Sequence, residues 1–330
     1  MIVIVATSND PAIGPVIEAL ERLGRSDVLW LDLETAMDDI VLESRIIDGK
    51  MRWNFRSEKR PDSVCSPETI SAVYWRRPVS YLGSPFLGIP TSANLDAVEI
   101  FWSIRWHLES LPASRFPLGH PWVFARAENK HRQMEVAGRL GFRLPETLHS
   151  NDPGQLAGFA RGHSSVALKA LRMPAVSTSG EVQKARHISC RAFDGEQLAG
   201  QIAGRDRCQL YCQEAVARKR DWRITVLPNQ TICAEIDTSP LEGNKLDWRE
   251  HSLELPHRIV ELEPSFDRQL RAFLSEMELT SGYFDFAVPE EGPPVFFECN
   301  TNAQWLWIQQ VTGHPIAEAI ARELMLEKVT

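Results

Sequence analysis

Asp285, Glu298 and Asn300 are the residues of this chain best suited by type and spacing to chemistry. Asp285 stands in the run Tyr-Phe-Asp-Phe-Ala-Val (283–288), and the other two in Phe-Phe-Glu-Cys-Asn (296–300). Side chains alternate across a strand, so Glu298 and Asn300 share a face. Pairing of the two runs as a hairpin can bring Asp285 onto it. Both carboxylates lie among Phe284, Phe286, Phe296 and Phe297, where an unpaired charge is costly. Two carboxylates and an amide oxygen make a hard, oxygen-only ligand set. It suits Mg²⁺, which is usually held by one or two carboxylates together with substrate phosphates. The plainer reading is an amphipathic hairpin with one polar face.

Three cations are spaced along the chain in comparable settings. Lys130 opens a helical stretch, Lys169 interrupts the apolar run Val-Ala-Leu-Lys-Ala-Leu, and Arg223 lies in Asp-Trp-Arg-Ile-Thr-Val. A lysine inside such a strand needs an anionic partner or must reach solvent. Singly, each reads as a solvated strand edge. With the acidic hairpin they match a nucleoside triphosphate, cations on the phosphate oxygens and carboxylates on the metal.

Other chemistries lack their signatures. There is no GxxxxGK[ST] phosphate loop, no GxGxxG after the first strand, no HExxH, no GxSxG and no paired CxxC. Cys208 and Cys212 lie four apart without a second pair or a nearby histidine to complete a zinc site. Lys plus Arg number 36 against 44 Asp plus Glu, a net charge of −8, which disfavours a cationic nucleic-acid binder. No apolar run approaches the roughly 18 residues of a membrane span. The opening Met-Ile-Val-Ile-Val-Ala reads as a buried strand and not as an export signal, so a reducing cytoplasm is expected.

The elements that must position these residues are those of an α/β protein built from α+β subdomains. Strand Ile2–Ala6, a helix through Ile17, Leu20 and Leu23, and a strand over Asp27–Leu33 open the chain. Asp48-Gly49 marks a hairpin, Ile70–Trp75 a strand ending in Arg76-Arg77, and Ala93–Leu111 a helix with Phe101, Trp102, Ile104 and Trp106 in packing. A middle unit follows, with a helix headed by Asn129-Lys130, strands near Arg143–Thr147, Ser165–Leu171 and Arg186–Phe193, and a small-residue loop between the last two. The final unit begins with the strand Gln209–Val216. Hairpins 220–227/231–237 and 283–288/295–299, a helix Pro264–Met277 and a terminal helix Gln304–Glu327 complete it. The expected units are 1–115, 116–207 and 208–330.

Taken in order, these residues resemble the ATP-grasp ligases: a lysine before a small lid, a lysine in the lid's strand, a Ser/Gly loop, Gln213-Glu214, a strand arginine, then Asp and Glu-x-Asn. Tyr74-Trp75-Arg76-Arg77-Pro78, Asp247-Trp248-Arg249 and the run from Glu298 to Trp305 resemble more narrowly the microviridin-type peptide-cyclising ligases, or graspetide synthetases. One departure is that Asn-Pro-Asn-Gly-Gln-Trp of that family stands here as Asn-Thr-Asn-Ala-Gln-Trp, which alters backbone freedom after the acidic residues.

The resemblance implies an ATP-grasp fold with an N-terminal pre-ATP-grasp domain (1–115), a central lid (116–207) and a C-terminal subdomain (208–330). It implies ATP and Mg²⁺ as cofactors, with Lys130 and Lys169 on the α- and β-phosphates. Gln213, Glu214 and the backbone of Ala215 and Val216 would meet adenine, and Arg223 the γ-phosphate. Asp285, Glu298 and Asn300 would ligate Mg²⁺. Arg249 would face the acyl-phosphate or an acidic peptide side chain, and the loop Ser177–Gly180 would close over the phosphates. The implied activity forms lactone or lactam crosslinks in a ribosomal precursor peptide through acyl-phosphates. The implied partners are that peptide, with no nucleic acid and no membrane, and a homodimer is left open. The alternatives are a ligase adding an amino acid to a small molecule or a protein terminus, and a non-catalytic nucleotide- or peptide-binding module.

Overall fold

The computed structural model describes residues 1–78, 92, 94–169, 175–176, 186–187, 190–207, 209–241 and 253–326. The chain begins with β1 (Ile2–Ala6), α1 (Ile13–Arg22) and β2 (Val28–Leu31). An antiparallel meander follows, made of β3 (Ile40–Ile47), β4 (Lys50–Ser57) and β5 (Arg60–Cys65). Asp48 and Gly49 join β3 to β4 with φ of 51° and 72°, the left-handed pair that a two-residue hairpin turn requires. β6 (Ala72–Arg77) then returns to pair parallel with β1, in the order β2-β1-β6. Every residue of β1 is buried, as expected for a central parallel strand covered on both faces.

α2 (Leu95–Glu109) buries Phe101, Ile104 and Leu108. Trp106 does not join them and is 60% exposed, its ring 5.6 Å from Trp102. Two residues turn a helix by about 200°, which carries Trp106 to the face opposite Ile104.

The middle of the chain forms α3 (Pro121–Ala127), α4 (Lys130–Arg139), β7 (Thr147–Ser150), α5 (Pro153–Arg161) and β8 (Ser165–Lys169). It continues with β9 (Ala175–Val176), β10 (Arg186–His187), β11 (Arg191–Asp194), α6 (Gly195–Ile202) and β12 (Leu210–Glu214). Four of these strands make an antiparallel sheet in the order β11-β8-β12-β7. Strand β12, expected to open the C-terminal unit, instead lies between β7 and β8. A boundary after residue 207 would cut this sheet. The face bearing Val166, Leu168 and Cys212 packs on α5 and α6 through Leu156, Ala160 and Leu198, a small core of its own.

The last part comprises β13 (Arg220–Val226), β14 (Thr231–Asp237), β15 (His257–Val260), α7 (Pro264–Glu276), β16 (Gly282–Val288), β17 (Val295–Asn300), α8 (Leu306–Thr312) and α9 (Ile316–Met325). Its strands are antiparallel in the order β15-β14-β13-β16-β17. One face carries Ile224, Phe284, Phe286 and Phe296 against Phe273 of α7, in a core continuous with Val3, Leu31 and Phe101 of the N-terminal part. The expected single terminal helix is two, because Gly313 at φ 70° and Pro315 interrupt it. α9 packs on α1, and Trp305, Tyr283, Ile4 and Ile320 share a second core that joins the two ends of the chain.

Candidate active site

Strand register builds the site. Arg223 on β13 lies opposite Asp285 on β16, which lies opposite Glu298 on β17, so three charged side chains form one row on one face. Arg223 Nη1 donates to both oxygens of Asp285, at 2.7 and 2.8 Å, and both side chains are only 5% exposed. Asn300 Nδ2 donates to Glu298 Oε1 at 3.1 Å and to Asp285 Oδ2 at 3.3 Å, closing the two carboxylates into one cluster. Phe284, Phe286 and Phe296, expected around the carboxylates, lie on the opposite face against α7. The register shifts after Asp285, where Glu298 and Phe296 oppose consecutive residues, so Phe297 is the extra residue of a β-bulge. The bulge turns Phe297 toward Lys169 and Arg218, whose charged groups lie 4.2 and 5.5 Å from its ring centroid.

Lys130 reaches the row from the first turn of α4. Its Nζ donates to Glu298 Oε2 at 2.5 Å. Burial alone would lower the ammonium pKa, but the Glu298 carboxylate outweighs it and raises the pKa above the usual lysine value. Two features hold α4 in place. Asn129 caps it, Oδ1 accepting from the Arg132 amide at 3.1 Å. Buried Gln133 pairs with the outer edge of β17, accepting from Cys299 N at 3.0 Å and donating to Cys299 O at 2.8 Å.

Lys169 and the Gln213–Val216 segment belong to the four-stranded sheet. Lys169 pairs in register with Tyr211, and Ala167 with Gln213, on the face turned away from α5 and α6. Burial, with the Glu298 carboxylate near, pushes the Tyr211 phenol up to about 12. The Lys169 ammonium, 4.2 Å from the Phe297 ring centroid, brings this face beside β17. His131 and His149 lie beside Tyr211, their rings 5.1 Å apart. Buried Gln213 donates through Nε2 to Thr147 Oγ1 at 3.1 Å, while its Oε1 is buried and meets no donor among the described residues. Beyond it, the Glu214 amide donates to Glu146 O at 2.8 Å and the Ala215 amide to Ser165 O at 3.1 Å. Val216 O accepts from Arg218 Nη1 at 3.3 Å. The end of β12 is thus tied down on both sides. Ser177, Gly180 and Arg249 lie outside the described residues, as do the other members of the Ser177–Gly180 loop.

A third element reaches the site from the N-terminal sheet. Arg76 is fully buried at the end of β6, its Nε 3.2 Å from Asp10 Oδ2. Its Nη1 donates to Ala303 O at 2.5 Å and Nη2 to Gln304 Oε1 at 2.7 Å. Gln304 O in turn accepts from Arg223 Nη2 at 3.5 Å. Asn302 Nδ2 donates to Trp75 O at 3.2 Å. The turn that follows Asn300 is therefore clamped by β6. The sequence reading quoted Arg76 and Gln304 within its motifs without giving either a role, and it missed Gln133 and the bulge at Phe297. The Phe-Phe doublet, which breaks strand alternation, is the one signal that could have revealed the last.

Among the described residues, no three His, Cys, Asp or Glu side chains converge as a metal cluster. Two carboxylates and an amide do, and that set fits a cation which takes its remaining oxygens from a phosphate chain. Across from it stand Lys130 and Lys169, with the orphaned acceptor of Gln213 beyond.

No family model and no curated protein sequence matches this chain. Solved structures do match it. The macrocyclase MdnC of Microcystis aeruginosa MRC, bound with precursor peptide MdnA, superposes with a TM-score of 0.79 at 24% identity, over 98% of this chain and 99% of that one. A Chryseobacterium gregarium RiPP-associated ATP-grasp ligase, in complex with ADP and a leader and core peptide, gives 0.80 at 23% identity, over 98% and 96%. The chain has the ATP-grasp fold. The ligase PsnB, complexed with a phosphomimetic minimal precursor, Mg and ADP, gives 0.67 at 16% identity, over 98% and 97%. In this ATP-grasp chain the charged row lies on the five-stranded sheet and Lys169 on the four-stranded one, where its ammonium meets the Phe297 ring beside the row. No helix among the described residues is long and apolar enough to cross a membrane.

Proposed function

We propose that this chain is an ATP-dependent ligase that activates Asp or Glu side chains of a ribosomal precursor peptide as acyl-phosphates and closes lactone or lactam crosslinks. The observation that carries the reading is the row Arg223–Asp285–Glu298 with Asn300, set opposite a sheet that presents Lys169 and the unsatisfied Gln213 Oε1. An exocyclic amine of adenine is the donor that such a buried acceptor fits. Lys130 and Lys169 would take phosphate oxygens and Arg223 the transferring group, while Asp285, Glu298 and Asn300 would hold Mg²⁺. When bound, that ion supplies charge neutralisation on the phosphates. The peptide assignment draws on the likeness to MdnC, PsnB and the Chryseobacterium ligase, whose structures contain precursor peptides. We place the reaction in the cytoplasm, where ATP is available.

The residues present serve two successive displacements. A substrate carboxylate oxygen attacks the γ-phosphorus, ADP leaves, and an acyl-phosphate remains. An amine or hydroxyl then attacks the acyl carbon, phosphate leaves, and the nucleophile loses its proton to solvent or phosphate. Fixed cations contribute by positioning and charge stabilisation, and no protein nucleophile is required. Co-expression with a short Thr/Ser-, Asp/Glu- and Lys-containing peptide encoded beside the gene tests the reading by mass spectrometry. Each ring formed removes one water, with one ADP released. ADP release without loss of water from the peptide overturns the assignment.

A further inference from the structure

We infer that Arg77 is a receptor for the carboxylate of the substrate's acidic side chain, a role that rests on the ligase reading and adds a specificity-determining residue to it. Four observations converge on this residue. First, Arg77 ends β6, and the carboxyl ends of parallel strands are where open α/β sheets present ligands. Second, the β1–β6 register shifts between Val5 and Ala6, which pair with Trp75 and Arg77, so Arg76 is the inserted residue of a bulge. Bulges re-aim side chains, and here two adjacent arginines receive opposite fates. Arg76 is swallowed with Asp10, whereas Arg77 stays exposed beside the turn that leaves the carboxylate row.

Third, the guanidinium of Arg77 is poorly compensated. Among the described residues its one hydrogen bond runs from Nε to Asn302 O at 3.4 Å, and it has no carboxylate partner. The nearby carboxylate, Asp10, is taken by Arg76 at 3.2 Å. Fourth, Asn302 is two residues beyond Asn300, so this cation stands at the margin of the row where the acceptor carboxylate must arrive. Both Nη groups are turned to no acceptor among the described residues, and a planar guanidinium can grip a carboxylate through two parallel hydrogen bonds.

The test uses the full chain loaded with Mg²⁺ and AMP-PNP, titrated with N-acetyl-L-glutamate N-methylamide, a blocked glutamate residue. The corresponding glutamine compound is the control, and binding is read by calorimetry. The wild type is expected to prefer the glutamate probe. Arg77→Gln should lose about ten-fold or more of that affinity, the worth of one charge-assisted contact, and Arg77→Lys should fall between them. AMP-PNP affinity should be unchanged in both variants, which shows that they are folded. Equal affinity of wild type and Arg77→Gln for the glutamate probe, or a wild type that does not discriminate between the probes, overturns the inference. A wild type that fails to bind Mg²⁺–AMP-PNP defeats the ligase reading itself, and the inference falls with it.

Discussion

Asp285 and Glu298 face each other across one register position, yet their surroundings make them unequal. Asp285 is sealed against Arg223, so its removal leaves a buried guanidinium without counter-charge, at a cost of about 3–5 kcal/mol. Glu298 and Lys130 are each 23% exposed, and solvent screens part of the loss. Asp285→Ala is expected to lose both stability and turnover. Glu298→Gln should abolish turnover with a smaller fall in urea midpoint than Asp285→Ala. Wild-type ADP release by Glu298→Gln would remove that residue from the metal role. Lys130 yields a pH prediction. Its folded pKa is raised, so the stabilisation by the Lys130–Glu298 pair is fully present below the unfolded lysine value of about 10.4 and is lost as pH rises through the higher folded value. The difference in stability between wild type and Lys130→Met should stay flat from neutral pH to mildly alkaline pH and shrink beyond. A difference that already disappears near neutrality would contradict the raised pKa.

Among the elements, α4 carries the most consequence for its length. Its cap decides where Lys130 stands, and Gln133 holds its axis against β17. Asn129→Ala removes the acceptor for the Arg132 amide and should cost about 0.5–2 kcal/mol. It should also weaken nucleotide binding, because the first turn frays where the lysine is anchored. Asn129→Asp keeps the acceptor and should restore both, as read by thermal unfolding and calorimetry with AMP-PNP. If Asn129→Ala destabilises the chain without touching nucleotide affinity, Lys130 is positioned by Glu298 alone. β6 acts at the other end of the row, where Arg76 converts the placement of the N-terminal sheet into the placement of Gln304.

At the scale of the molecule, the N- and C-terminal parts share two continuous cores, while the four-stranded sheet with α5 and α6 keeps its own. A nucleotide lying between the two sheets would tie the separate core to the shared ones. Mg²⁺–AMP-PNP at about 100 times its Kd should therefore add about 2.7 kcal/mol to stability, visible as a rise in Tm of several degrees. EDTA should reverse most of it, and Glu298→Gln should show little of it. A rise that survives EDTA unchanged would mean that the nucleotide binds without the acidic row.

The sequence by itself determines what is local. Alternation and turn residues define the hairpins 220–237 and 283–300, and the second places Glu298 and Asn300 on one face. Asn129 marks the start of α4 for the same reason, since a cap acts within one turn. Which face is which was decided only by tertiary structure. Phe284, Phe286 and Phe296 point away from the carboxylates, because α7 supplies Phe273 and takes that face of the sheet as its own. Trp106 and Phe101 look alike in composition, but the helix stripe buries one and exposes the other. Strand β12 reads as a continuation toward β13, yet it pairs backward with β7 and β8, a choice between equally good edges that no local pattern contains. The two arginines that end β6 differ through a bulge and through distant partners, Asp10, Ala303 and Gln304 for the one and Asn302 for the other. Contacts across such separations depend on how the sheets pack, and side-chain type alone does not carry that information.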